Sequence, residues 1–153
     1  MQDLSKISVV LPSLDPDEKL NAVIDGLLEY GFSNIILVND GSKQENLHYF
    51  TDAAAAHPEI HLLHHEVNRG KGAALKTALR WYGAHEDGCA GIVTADCDGQ
   101  HTVKDVRRVC EAMEACPGTL VLGCRDFGPG TPARSATGNR VTSAAMRVMY
   151  NID

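Results

Sequence analysis

Residues 34–42 read NIILVNDGS, an apolar run that passes without a break into Asn, Asp, Gly and Ser. Short runs of this kind, nearly continuous in apolar residues, are typical of strands covered on both faces. The same rhythm repeats on either side of it. Apolar runs at ISVVL (7–11), IHLLHH (60–65), GIVTAD (91–96) and TLVLGC (119–124) alternate with helical patterns over 17–30, 43–56, 71–86 and 102–115, and a last one near 135–150. Strands alternating with helices of that length predict βαβ units and a mainly parallel sheet. One α/β domain over residues 1–153 is expected, with a Gly- and Pro-broken loop at RDFGPGTPARS (125–135).

Composition narrows the function. The hydrophobic content of 44% and charged content of 22% belong to a globular chain rather than a disordered one. A net charge of -6 argues against nonspecific nucleic-acid binding, which relies on clustered Lys and Arg. No apolar run approaches the roughly 20 residues of a membrane span, and the start MQDLSK lacks a signal-peptide core. The five cysteines, Cys89, Cys97, Cys110, Cys116 and Cys124, form no CxxC pair. They fit a reduced cytoplasmic setting better than a disulfide framework or a zinc site.

In open parallel sheets, ligands sit outside the carboxyl ends of the strands. Polar and acidic segments collect at those ends here: PSLDPDE after the first strand, NDGS after the second, DCDGQH after the fourth and GCRDF after the fifth. In DCDGQH, residues two apart at a strand end face one side, so Asp96 and Asp98 would share a space. Paired oxygen ligands of that kind suit Mg²⁺ or Mn²⁺ shared with a substrate's phosphates. The rival reading makes Asp96 a turn cap and Asp98 the cap of the next helix. A calcium loop is excluded, because Thr94 and Asp105 occupy its first and last ligand positions and a strand precedes it. In NDGS, Asp40 or Ser42 is either a helix cap around a Gly41 turn, or Asp40, Gly41 and Ser42 offer a carboxylate and amides to a nucleotide. NRGKGAALKTAL (68–79) opens a helix with glycines and Lys71, a setting that favours an anion without matching a Walker loop. His61, His64 and His65 read as polar residues of a strand edge or end rather than zinc ligands. Arg134, Arg140 and Arg147 are either a solvated helix side or phosphate contacts.

Taken in order, VVLPSLDPDE, LVNDGS, NRGKGAALKTAL, TADCDGQH and LGCRDF resemble the family-2 glycosyltransferases of the GT-A fold. The likeness is closest to the branch that moves sugars onto polyprenyl phosphates, of which dolichyl-phosphate mannosyltransferases are examples. DCDGQH, aligned with that family's D-x-D-x-Q-H, is the most specific element, and RSATGNRVTSAAMRVMYNI is similar to the helix after its fifth strand. The resemblance implies a Rossmann-like α/β/α sandwich. It places Pro12 and Asp40 at the base or ribose of a UDP- or GDP-sugar donor, with Lys71 near the nucleotide. Asp96 and Asp98 become the DxD motif, with Asp98 and Gln100 on an Mg²⁺ or Mn²⁺ ion that bridges the diphosphate. Arg125 and Arg140 fall near phosphates. Two departures stand out: Asp15-Pro16 where the family usually has Asn-Glu, and Cys124 in place of a frequent Ser.

What the resemblance implies for chemistry is metal-assisted, inverting sugar transfer. A polyprenyl phosphate acceptor is already an anion and needs no general base, whereas a sugar hydroxyl does. No residue stands out as that base, so no catalytic residue is assigned and the lipid phosphate is favoured over a saccharide acceptor. A membrane-surface location on the cytoplasmic face is compatible with such an acceptor. Family members continue towards a D-x-x-x-G-x-R-like motif beyond the length seen here, so the 153 residues are read as the donor-binding portion of a longer protein or a naturally short relative. The alternatives are a hydroxyl-directed family-2 enzyme and a noncatalytic nucleotide-binding module.

Overall fold

The computed structural model describes residues 3–85, 88–99 and 102–123. The chain divides into two compact units, Met1–Leu122 and Gly123–Asp153, and every described helix and strand lies in the first. Four strands, β1 (Ile7–Ser13), β2 (Ile35–Asp40), β3 (Ile60–His65) and β4 (Gly91–Thr94), form one sheet in the order β3-β2-β1-β4. All three neighbouring pairs are parallel. The connections are helical: α1 (Lys19–Glu29), α2 (Leu47–Ala56), α3 (Lys71–His85) and, after β4, α4 (Val103–Ala115).

Strand alternation divides the core into two layers. Val9 and Leu11 of β1, with Ile35 and Leu37 of β2, pack against Leu20, Ile24 and Leu27 of α1, Phe50 and Ala53 of α2, and Val106 and Cys110 of α4. On the other face Val10, Ile36 and Val38 meet Ala74 and Ala78 of α3. β2 is buried at all six positions, as a central strand covered on both sides must be. The result is the α/β/α sandwich with a mainly parallel sheet that the alternating pattern predicts.

β1 also contains a proline, which a central strand normally excludes. Val9 donates its amide to the Asn34 carbonyl (2.9 Å), while the Val10 carbonyl accepts the Ala95 amide (3.0 Å). Odd-numbered amides of β1 therefore face β2 and even-numbered ones face β4. Pro12 is even, and β4 pairs with β1 only as far as Val10↔Thr94. The missing amide of Pro12 thus lies past the end of the ladder and costs no strand bond.

Three boundaries differ from the sequence expectation. Residues 119–123, expected as a fifth strand, pair with no strand among the described residues, and Leu120 and Leu122 are 86% and 73% exposed. β4 stops at Thr94, two residues before Asp96. The helix expected from residue 43 starts as a 3-10 turn, Gln44–Asn46, and becomes α2 only at Leu47. The expected helix near 135–150 lies outside the described residues.

Two glycines with positive φ do different jobs. Gly31 (φ 97) ends α1, with its amide donating to the Leu28 carbonyl (2.9 Å) and the Phe32 amide to that of Leu27 (3.1 Å). A Cβ there would meet nothing within 4 Å. Gly41 (φ 76) follows β2, and a Cβ there would lie 2.2 Å from the Asn68 amide nitrogen and the Val67 carbonyl carbon. Urea unfolding should separate them. Gly31→Ala is expected to cost about 1–2 kcal/mol, the left-handed backbone alone. Gly41→Ala should cost about 3 kcal/mol or more, because backbone must also move aside.

Candidate functional site

The strands run parallel and end together, so their carboxyl ends emerge at one edge. β2 and β3 finish in register, Asn39 beside His64 and Asp40 beside His65. Alternation sends the two rungs to opposite faces. On one, Asn39 Oδ1 accepts the Ser42 amide (2.8 Å), and its Nδ2 lies 2.9 Å from His64 Nδ1. On the other, Asp40 Oδ1 accepts from His65 Nδ1 (2.7 Å) and from the Arg69 amide (3.0 Å). Both side chains of this second rung are only 5% exposed. Burial works to raise the Asp40 carboxyl, but hydrogen bonds from His65 and the Arg69 amide, with the charge of His65, outweigh it and hold the group below its ordinary value. Asp40 is therefore a carboxylate, an acceptor only, and His65 must carry its proton on Nδ1.

The turn after β1 is tied to the turn after β2 by Asp15, a non-glycine residue at φ 47. Its amide donates to Ser42 Oγ (2.8 Å), and its Oδ1 accepts the Lys43 amide (2.8 Å) and Asn46 Nδ2 (3.1 Å). Lys43's amide bond, followed by that from Asn46, lowers the Asp15 carboxyl below its usual value. These contacts remove the capping role expected of Asp40 or Ser42: one is engaged by His65 and Arg69, the other by Asp15. Asp15, the departure from the family pattern, instead fastens two strand-end turns together.

After β4, Ala95 still bonds to β1 and is buried, and Asp96, Cys97 and Asp98 then enter a turn. The strand alternation invoked for the aspartate pair therefore does not apply to it. Asp96 is half-buried and forms an ion pair with Lys71 Nζ at the start of α3, which joins the glycine-rich turn to the DCD turn. Asp98 is exposed. Cys97 donates its thiol to the Pro12 carbonyl (3.8 Å). Burial pushes that thiol up to about 12, with the charges of Asp96 and Asp98 adding to the rise and a hydrogen bond with Ser13 opposing it. It is a neutral donor that pins the turn to the end of β1. Helix α4 takes its cap from Thr102, whose Oγ1 accepts the Asp105 amide (3.2 Å), so the capping role considered for Asp98 is filled by another residue.

The predicted segments are thus drawn to one edge. PSLD meets NDGS through Asp15, NDGS meets NRGKG through Asp40 and Gly41, NRGKG meets DCDG through Lys71, and DCDG returns to β1 through Cys97. Gln100, Arg125, Arg134, Arg140, Arg147 and Cys124 lie outside the described residues. His61 lies against Trp81, with ring centroids 4.4 Å apart, and among the described residues no three His, Cys, Asp or Glu side chains cluster as a metal site. The sequence reading missed His65 and Thr77, whose Oγ1 is 2.9 Å from His65 Nε2. The available signal was that the second and third apolar runs both end in two polar residues, ND and HH, which oppose one another once the strands pair in parallel.

A doubly covered parallel sheet with its polar turns gathered at the carboxyl edge is the architecture of nucleotide-binding α/β proteins. Residues 8–150 match glycosyl transferase family 2, and the chain belongs to that family. An undecaprenyl-phosphate mannosyltransferase of Micrococcus luteus is 26% identical over 92% of this chain and 56% of its own. A UDP-N-acetylglucosamine–dolichyl-phosphate N-acetylglucosaminyltransferase of Methanococcus voltae is 27% identical over 80% of this chain and 53% of its own. The chain thus spans about half the length of these relatives. Among solved structures, a mannosyltransferase of Pyrobaculum calidifontis in complex with GDP-Man and Mn²⁺ aligns with a TM-score of 0.51 and 24% identity, over 61% of this chain and 27% of that one. That likeness establishes the shared GT-A fold. No helix among the described residues is long and apolar enough to cross a membrane.

Asp40 carries a pH prediction. Its folded carboxyl titrates below the ordinary value of 3.8, so its stabilisation is fully present above that pH and is lost as pH falls through the folded value. Asp40→Asn should lower stability at neutral pH by roughly 1.5–3 kcal/mol, the worth of hydrogen bonds to a charged group. It should also flatten the acid limb of the stability profile below about pH 4, measured by urea unfolding across pH.

Proposed function

We propose that this chain forms the donor-binding part of a family-2 glycosyltransferase that moves a sugar from a UDP- or GDP-sugar to a polyprenyl phosphate. The observation that carries the reading is the closed set of contacts joining four strand-end turns at one sheet edge, with an acidic turn facing a lysine-bearing helix start. The relatives named as undecaprenyl- and dolichyl-phosphate transferases support the acceptor class. In this reading Pro12, Asp40, Gly41 and Ser42 bound the nucleoside end of the site, and Lys71 with the first amides of α3 attracts the diphosphate.

Asp96 and Asp98 fit a hard divalent cation. They are oxygen donors on one turn, two residues apart, and the cap of α4 is supplied by Thr102. Two carboxylates completed by substrate phosphates and water are a normal ligand set for Mg²⁺ or Mn²⁺. Gln100 is the third protein ligand proposed, and Arg125 a further contact to the donor. When bound, such a cation neutralises charge on the departing nucleoside diphosphate. The chain's own contribution is to hold the diphosphate between the α3 amides and the DCD turn, with charges positioned before the reaction begins. A polyprenyl phosphate oxygen attacks without prior deprotonation, which matches a site with no assigned general base.

Calorimetric titration of UDP and GDP into the 153-residue chain, with and without Mn²⁺, tests this. Metal-dependent binding of one of the two is expected, and Asp98→Ala should weaken it by at least about tenfold. Binding of neither by folded protein, or binding indifferent to both Mn²⁺ and Asp98, would overturn the donor-site assignment.

A further inference from the structure

We infer that His65 and Thr77 are positioning residues that hold Asp40 and the glycine-rich turn before α3 in the geometry the donor site needs, an inference that rests on the proposed function for its link to nucleotide. His65 is the last residue of an edge strand, where a polar side chain would ordinarily point into solvent. It is instead buried, and both ring nitrogens have partners: Asp40 Oδ1 at 2.7 Å and Thr77 Oγ1 at 2.9 Å. The Asp40 carboxylate can only accept, so Nδ1 bears the proton. With that proton on Nδ1, Nε2 accepts from the Thr77 hydroxyl in the neutral ring and donates to Thr77 Oγ1 in the imidazolium, so both ring nitrogens are engaged in either state.

This relay links three elements by side chains alone. Thr77 lies in α3, six residues after its first, His65 in β3 and Asp40 in β2. The same Asp40 Oδ1 that His65 engages also accepts the Arg69 amide, which orients the peptide leading into Gly70 and Lys71. Gly70 in turn directs its amide to Asn68 Oδ1 (2.9 Å), beside the point where Gly41 leaves no room for a Cβ. The Ala73 and Ala74 amides bond to the Gly70 carbonyl, so the direction of the Arg69–Gly70 backbone sets where α3 begins. His65 thus fixes the approach of the helix start, with Lys71, to the DCD turn, although it touches neither.

Replacing the ring tests the relay. His65→Leu can serve neither partner, whereas the amide of His65→Gln can donate to Asp40 and accept from Thr77. Thr77→Val keeps shape and removes only the hydroxyl, and so guards against a fold-breaking change at position 65. Hydrogen exchange by NMR should show the Arg69 amide losing protection in His65→Leu and Thr77→Val and regaining it in His65→Gln, while amides of β1 and β2 keep theirs. Affinity for whichever of UDP and GDP the wild type binds should fall about tenfold in His65→Leu and recover in His65→Gln. Unchanged Arg69 exchange in folded His65→Leu and Thr77→Val would overturn the inference, as would unchanged nucleotide affinity in a wild type that binds. If the wild type binds neither nucleotide, the donor-site reading falls by its own test, and the Arg69 amide alone decides whether the relay holds.

Discussion

Everything at the carboxyl edge depends on parallel pairing in register. Because β1, β2 and β3 run the same way and β4 joins β1 on its other side, each strand delivers its following turn to the same edge. Parallel pairing also demands a helical crossover after each strand, and those helices cover both faces. The burial of all six residues of β2 and the gathering of four polar turns are therefore two results of one constraint.

The contacts that close the edge differ in strength in a way that suits their positions. The Asp40–His65 pair is buried, and removing one partner would strand a polar group away from water, so it behaves as a permanent fixture. The Lys71–Asp96 pair has a 60% exposed lysine, and an exposed ion pair of this kind is worth at most about 1 kcal/mol. Breaking it costs little. The buried pair is thus the rigid contact and the half-exposed one the exchangeable contact. The neutral Cys97 thiol belongs with the rigid set, since it anchors the acidic turn to β1 without adding charge.

Local chemistry made several features readable. The apolar runs at 7–11, 34–40 and 60–65 became strands nearly as expected, because buried parallel strands leave an unbroken signal in the sequence. The 119–124 run carried the same local signal, yet residues 119–123 form no strand among the described residues. The aspartates of DCDG follow the fourth strand, but β4 ends two residues earlier than the apolar pattern implied, so strand alternation does not set their facing. Asp40 and Ser42 have strong capping propensity, but tertiary partners claimed both.

Residue order alone determined the α/β class, through periodicity, and the five segments with chemical interest, through residue types at fixed local spacing; the order of those segments carries the resemblance to the family. Which side chains meet was decided only by the folded chain. His65 reaches Asp40 because two strands 25 residues apart end at the same level, and it reaches Thr77 because α3 lies across that face of the sheet. Asp15 looks like a substitution that spoils a contact and turns out to be a fastener, because its left-handed backbone turns its carboxylate onto Lys43 and Asn46. Such pairings are set by the register of distant strands and by helix placement, and no local stretch of sequence encodes either.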